Sequence, residues 1–242
     1  MTGFALVYTL ERAAGMPLPP ADVVVAALQG VAALADCSEL EVYLPHPEHE
    51  RFDLFRDGAP PLLIVECRAT SRAALERCAG DTRMQAALHR IAGAPSGGDD
   101  AARGTWRAGL FRVERELAAT PQQAAAAALA LVVHYYGPVD DADAFAAHYV
   151  ARHPPILARL PAVRDVRCYL PLGAGPAGLA ADAAIIRNEV WFDSMDALLA
   201  SLRSPVVAEM RADAKTFARY GHATHYPMRR MRIDVAGAAA AR

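Results

Sequence analysis

Runs of β-branched, aromatic and aliphatic residues recur along this chain, separated by longer alanine-rich stretches with apolar spacings of three and four. Residues 4–10, 39–45, the LLIVECRA segment and TWRAGLFRVERE read as strands in the first half. ADVVVAALQGVAALADC, after the proline-rich MPLPP turn, reads as a helix. So does RAALERCAGDTRMQAALHRI, which Ser71 can cap and which is interrupted near Gly80 and Asp81. The order is βαββαβ. Residues 117–130 are low in complexity and suit a connection without paired structure. The same order then returns: LALVVHYYG, a helix over 140–161, DVRCYLP, AAIIRNEVWF, a helix from Met195, and HYPMRRMRI.

The repeat also shows in letters. ALV at Ala5 to Val7 recurs at Ala130 to Val132, VYLP at Val42 to Pro45 is echoed by CYLP at Cys168 to Pro171, and Glu66 and Ser71 match Glu189 and Ser194 in phase. The fold expected is α+β: tandem ferredoxin-like βαββαβ repeats, each with helices on one sheet face, whose open faces meet in an intramolecular dimeric α/β barrel. The boundaries expected are 1–121, a degenerate repeat; 122–235, the second repeat; and 236–242, a disordered tail.

Composition narrows the class. With 54% hydrophobic and 21% charged residues and a net charge of -2, the 242-residue chain reads as an ordinary globular protein. No basic stripe of the kind nucleic acid requires is present; Arg229, Arg230 and Arg232 read as one face of a strand. No run approaches the roughly 18 apolar residues of a membrane helix, so the expectation is a cytoplasmic protein with no membrane partner. Cys37, Cys67, Cys78 and Cys168 have no two-residue spacing and are expected as buried, reduced thiols.

The sharpest chemical signal is the helix 140–161. Asp140 or Asp141 can cap it, and Phe145, Tyr149, Arg152, Ile156 and Leu160 fall on one face, expected to pack inward. Pro154 and Pro155 lack N–H donors, so a kink or restart is expected at His153. A histidine there is either an acid/base group with a tunable pKa or a capping or core histidine. On the strand before it, Val132, His134 and Tyr136 share one face and Leu131, Val133 and Tyr135 the other; the His134 face is the one expected to line a cavity. Tyr169 and Trp191 either hold a small aromatic ligand or simply fill the barrel. His148 and His153, and His222 and His225, are too irregularly spaced to assign a metal, and neither a phosphate-binding glycine loop nor a serine-hydrolase elbow is present.

Phe145, Tyr149, His153, Pro154 or Pro155 and LARLPAV from Leu157 resemble the helix of EthD-like proteins. Glu189, Trp191, Phe192, Asp193 and Ser194 resemble that family's third strand and the turn after it, and Leu198, Ser204, Pro205, Asp213 and Phe217 continue the match. The resemblance covers roughly residues 130–233, and the first half departs from it, having no His-Pro on its helix. It implies the dimeric α/β barrel and a relationship to muconolactone isomerases and cofactor-free monooxygenases. The function expected from it is a cofactor-independent catabolic oxidoreductase or isomerase acting on a small hydrophobic or aromatic-derived substrate. In that reading His153 and His134 are catalytic, and Tyr136, Tyr149, Tyr169 and Trp191 bind substrate. No metal or cofactor is expected, and a homodimer beyond the pseudo-dimer stays open. The alternative is a non-catalytic ligand-binding or accessory protein of an oxygenase system.

Overall fold

The computed structural model describes residues 3–12, 16–31, 36–55, 57–93, 104–116 and 119–234; the tail expected at 236–242 lies outside them. The first half carries strands β1 (Gly3–Leu10), β2 (Glu39–Pro45), β3 (Leu63–Ala69) and β4 (Trp106–Glu116), with helices α1 (Ala21–Gln29), α2 (Arg72–Ala79) and α3 (Thr82–Ile91). The second carries β5 (Leu129–Tyr136), β6 (Asp165–Ala174), β8 (Ala184–Phe192) and β9 (His222–Ile233), with α5 (Ala142–Leu157), α6 (Met195–Ser201) and α7 (Val206–Ala214). A short strand, β7 (Ala180–Ala181), runs parallel to β4 at the barrel rim.

These strands form one closed antiparallel barrel, β1–β3–β2–β9–β5–β8–β6–β4, with β4 returning to β1. Both halves have the internal order fourth, first, third, second strand. The seams that join them are β2–β9, where Tyr43 faces Arg230, and β4–β6, where Val113 faces Tyr169. Closure leaves no sheet edge between the halves to be protected.

Alternation assigns the two faces of each strand. Outward, Leu6, Tyr8 and Leu10 of β1 pack with residues of α1, α2 and α3, while Leu131, Val133 and Tyr135 of β5 pack with residues of α5 and α6. Inward, Val7, Tyr43, Phe111, Val132, Tyr169 and Trp191 form a third cluster inside the barrel. All four cysteines are buried and free, Cys37 Sγ lying 3.0 Å from Cys67 Sγ. Among the described residues no helix is long and apolar enough to cross a membrane.

Four sequence expectations are corrected. Residues 117–130 contain a helix, α4 (Pro121–Ala126), because Thr120 and Gln123 close a capping box around Pro121; its Ala124 packs inside the barrel. Helix α5 runs unbroken through Pro154 and Pro155. An internal proline costs about 3 kcal/mol, and burying Phe145, Tyr149 and Leu157 at about 1.5–3 kcal/mol each offsets that. Its buried stripe is Phe145, Tyr149, His153 and Leu157, spaced by four, whereas Arg152 points to solvent. Finally, Arg229, Arg230 and Arg232 do not share one face of the strand: Arg230 alternates with Arg229 and points into the barrel.

Candidate functional site

The interior of the barrel is charged at its centre. Glu41 is fully buried and accepts hydrogen bonds from Arg167 at 3.1 Å, from Arg230, and from Tyr43 at 2.7 Å. The Tyr43 hydroxyl is also 2.9 Å from Glu189, and the hydroxyl of Tyr169 donates to Glu66 at 3.0 Å. The two tyrosines of the YLP echo thus each reach a glutamate of the other half. Trp191 lies between two guanidiniums, with Arg167 3.7 Å from its ring centroid and Arg230 3.6 Å, and donates to Glu189 at 3.1 Å. Burial pushes Glu66 up, and Glu189 adds to it, to about 8. Burial works the same way on Glu41, but the charges of Arg167 and Arg230 outweigh it and hold Glu41 at about 2.

At the end of the barrel formed by the C-termini of β1 and β5, the interior opens into two adjoining cavities of about 230 and 390 Å³. Thr9, Glu11, His134 and Tyr136 line both; Pro60 and Tyr226 complete one wall, Arg107 and Asp182 another. The rim is fixed by a close backbone approach: Gly221 N–H donates to Tyr136 O at 2.9 Å, and a Cβ at Gly221 would lie 2.0 Å from Gly137 O. The segment before β3 closes one side, where Asp57 accepts from the His225 backbone N–H at 2.7 Å and the Pro60 carbonyl from Arg12 at 3.3 Å.

His134 is 3% exposed, its Nδ1 is 3.1 Å from the Tyr136 hydroxyl, and its Nε2 has no hydrogen-bond partner. Arg187 is fully buried. It donates through Nη1 to Asp182 at 3.0 Å and Thr9 at 3.4 Å, and its Nε and Nη2 are unpartnered. Thr224, paired with His134 across β5–β9, has an unpartnered Oγ1. Leaving a buried polar group unmet costs about 1–3 kcal/mol, so His134 Nε2, on the cavity wall, marks a place where a ligand oxygen would be stabilising, and Arg187 is tied to that wall through Asp182 and Thr9. Burial, then the charge of Arg187, pushes His134 down to about 3; burial pushes Tyr136 up to about 12. Both are neutral near pH 7. With the phenol donating to Nδ1, the imidazole presents Nε2–H, and the guanidinium of Arg187 stands behind it, paired with Asp182. Burial raises the Glu11 carboxyl above its ordinary value.

The six residues singled out from sequence fall in three places. His134 and Tyr136 meet at this cavity, in the phase expected from the alternation. Tyr169 and Trp191 lie deeper, tied into the charged centre. Tyr149 and His153 lie outside the barrel, on the opposite side of the β5 sheet: Tyr149 accepts from Asn188 at 2.8 Å and packs on Tyr135, and His153 Nδ1 is 2.9 Å from Asp213 of α7. Asp213 also accepts from Arg152 at 3.0 Å. His153 therefore joins α5 to α7 and shares no cavity with His134, and burial, opposed by Asp213, lowers its pKa. His153→Ala is expected to lower folding stability by about 1–3 kcal/mol, since one oxygen of the buried Asp213 carboxylate loses its partner while Arg152 keeps the other, and to leave ligand affinity at the His134 cavity unchanged; urea titration and ligand titration of the same variant check both.

Arg187, Asp182, Glu11 and Thr224 were not reached from sequence. A signal existed for Arg187 and Glu189: charged residues at every second position of an otherwise apolar strand, Ile-Arg-Asn-Glu-Val-Trp, are costly unless they line something polar. Among the described residues no group of three or more His, Cys, Asp or Glu side chains is arranged to hold a metal ion.

No protein-family model matches the chain, and no curated protein is similar to it. Solved structures are. An anthrone oxidase-like protein superposes over 97% of this chain and 96% of its own at 12% identity, with a TM-score of 0.62. A Fusobacterium nucleatum protein described as a monooxygenase covers 98% and 95% at 6% identity, with a TM-score of 0.58. A Lactobacillus acidophilus protein of the same description covers 96% and 95% at 8% identity, with a TM-score of 0.54. At these identities the likeness establishes the dimeric α/β barrel fold across the whole chain.

Proposed function

We propose that this protein is a cofactor-independent oxidoreductase that takes a small aromatic ketone or phenol into the His134 end of its barrel. One observation carries the reading: the buried, neutral His134 leaves hydrogen-bonding capacity unmet on the cavity wall, and the buried, charged Arg187, with unmet N–H groups of its own, is bonded to Asp182 and Thr9 of that wall. The barrel shared with proteins named as an anthrone oxidase-like protein and as monooxygenases supports the reaction class. On this reading the chain consists of two ferredoxin-like units, 1–121 and 122–235, the second EthD-like and the first taking the place of a partner subunit. The identical strand order of the halves and the exchanged Tyr–Glu hydrogen bonds support that division.

Anthrone is a suitable probe, since its methylene is acidified by the ketone. Glu11, made more basic by burial, takes a methylene proton, and the oxyanion that forms on the ketone is met by Arg187 and by His134 Nε2–H. The carbanion adds dioxygen, and loss of water from the resulting hydroperoxide, with the second methylene hydrogen, leaves a quinone: anthrone plus O2 gives anthraquinone plus water. A neutral histidine held near a pKa of 3 is a poor proton acceptor in the free protein, so its part is to orient the oxygen. His153 is assigned to positioning α5 and α7. The same low basicity favours a second reading, a binding protein that holds such a ligand without turning it over.

Oxygen uptake and quinone absorbance with anthrone test the proposal. Turnover above the buffer rate without added metal or cofactor, lost in His134→Ala, supports the enzyme. Tight anthrone binding with no oxygen uptake selects the binding protein, and neither binding nor uptake removes this ligand class.

A further inference from the structure

The opposite end of the barrel holds a separate cavity of about 240 Å³, on whose wall lie Arg167, Trp191, Arg230, Arg232 and Glu39, with α4 along one side. Three guanidiniums face one carboxylate there. Beneath the wall, Glu41 bridges Arg167 and Arg230 and Asp165 pairs with Arg167. The donors are fixed in place. Arg230 is 6% exposed and held through Nη1 by the carbonyls of Ala124, Ala125 and Ala127 at 2.9–3.4 Å, so its orientation does not depend on a ligand. Its Nε has no partner. Arg167 is held by Asp165 at 3.0 Å and by Glu41, and its Nη2 reaches only Glu39, at 3.9 Å, beyond hydrogen-bond range. Arg232 is exposed and makes no ion pair among the described residues. Both faces of Trp191 are already taken by guanidiniums, which leaves Pro121 and Ala125 as the apolar part of the wall.

We infer that this cavity is a second binding site, distinct from the His134 end, for a small monoanionic carboxylate whose oxygens pair with Arg167 and Arg232. The Nη2 of Arg167 and the exposed guanidinium of Arg232 are the donors left to meet it, and a guanidinium matches a carboxylate in shape and charge. The volume admits a benzoate-sized molecule, smaller than the usual range of about 300–1,000 Å³ for drug-sized ligands.

Trp191 reports on the site, since Trp106→Phe leaves it the sole tryptophan of the chain. In that background, titration with benzoate at constant ionic strength is expected to change Trp191 emission saturably, while benzamide, the neutral isostere, does not. Arg232→Glu, a surface change that leaves the core intact, is expected to weaken benzoate at least tenfold, and His134→Ala to leave its affinity unchanged. Should His134→Ala abolish the signal, the carboxylate is at the other end and the inference fails. It fails equally if benzamide gives the same response, if Arg232→Glu has no effect, if no saturable change occurs, or if inorganic phosphate binds more tightly than benzoate.

Discussion

Replacing Glu41 with alanine is expected to cost about 3–5 kcal/mol of folding stability, the range for removing one partner of a buried ion pair. Glu41 is the shared counter-charge of Arg167 and Arg230 and a partner of Tyr43, with no exposure of its own. Its loss leaves two nearly buried guanidiniums stacked on Trp191 without their shared carboxylate, and the penalty is theirs more than the lost bond. Urea denaturation at pH 7 measures the effect; a loss under 1 kcal/mol would mean that water enters the barrel and solvates the arginines. The pH dependence follows from the same centre. Glu41, held at about 2, below its ordinary value of 4.5, contributes stability that is full above that ordinary value and is lost as pH falls through 2. Glu66, raised to about 8, works in the other direction: its contribution is full below 4.5 and is lost as pH rises through 8. Stability should therefore decline on the alkaline side between about pH 5 and 8, the interval between the ordinary carboxylate value and Glu66. Glu66→Gln should flatten that limb.

Arg187→Leu is expected to lower kcat/KM for anthrone oxidation by about 10²–10³, mainly in kcat, as when one preorganised donor to a developing oxyanion is removed. The charge forms only as the proton leaves, so ground-state affinity for the neutral ketone should change far less. Arg187→Lys keeps the charge but not the two unpartnered N–H groups, and should recover part of the rate. Because Asp182 loses its ion-pair partner in Arg187→Leu, a circular dichroism melt must accompany the kinetics. An unchanged kcat in a folded Arg187→Leu protein would place the oxyanion elsewhere. A rise in KM alone would assign Arg187 to binding and favour the non-catalytic reading.

Strand and helix order were legible because period-two and period-four patterns are local: each of the eight barrel strands was marked by its own residues. The face of β5 was legible too, since a purely apolar set, Leu131, Val133 and Tyr135, can be buried under helices at no polar cost, which leaves His134 for the interior. The echo of VYLP in CYLP pointed to Tyr43 and Tyr169 as equivalent positions, and in the barrel they occupy equivalent places. Helix α5 was misjudged at Pro154 because the intrinsic penalty is local, while the burial that offsets it depends on β5, β8 and α7. For the same reason Arg152 was exchanged for His153 on the inward face: both fit helical spacing, and only α7, bringing Asp213 to the helix, decides which side is buried.

The site itself belongs to the tertiary structure. Thr9, His134 and the Asp182–Arg187 pair come from three separate stretches spanning both halves of the chain, and nothing in the spacing of those stretches says that they meet. What the sequence determined by itself was the set of elements and which side chains each strand presents on a face, because those follow from neighbours one to four residues apart. Which faces meet across the closed barrel, which buried charges find partners, and which polar atoms are left over to receive a ligand follow from closing β4 onto β1 and β2 onto β9, and those are contacts between residues up to about two hundred positions apart.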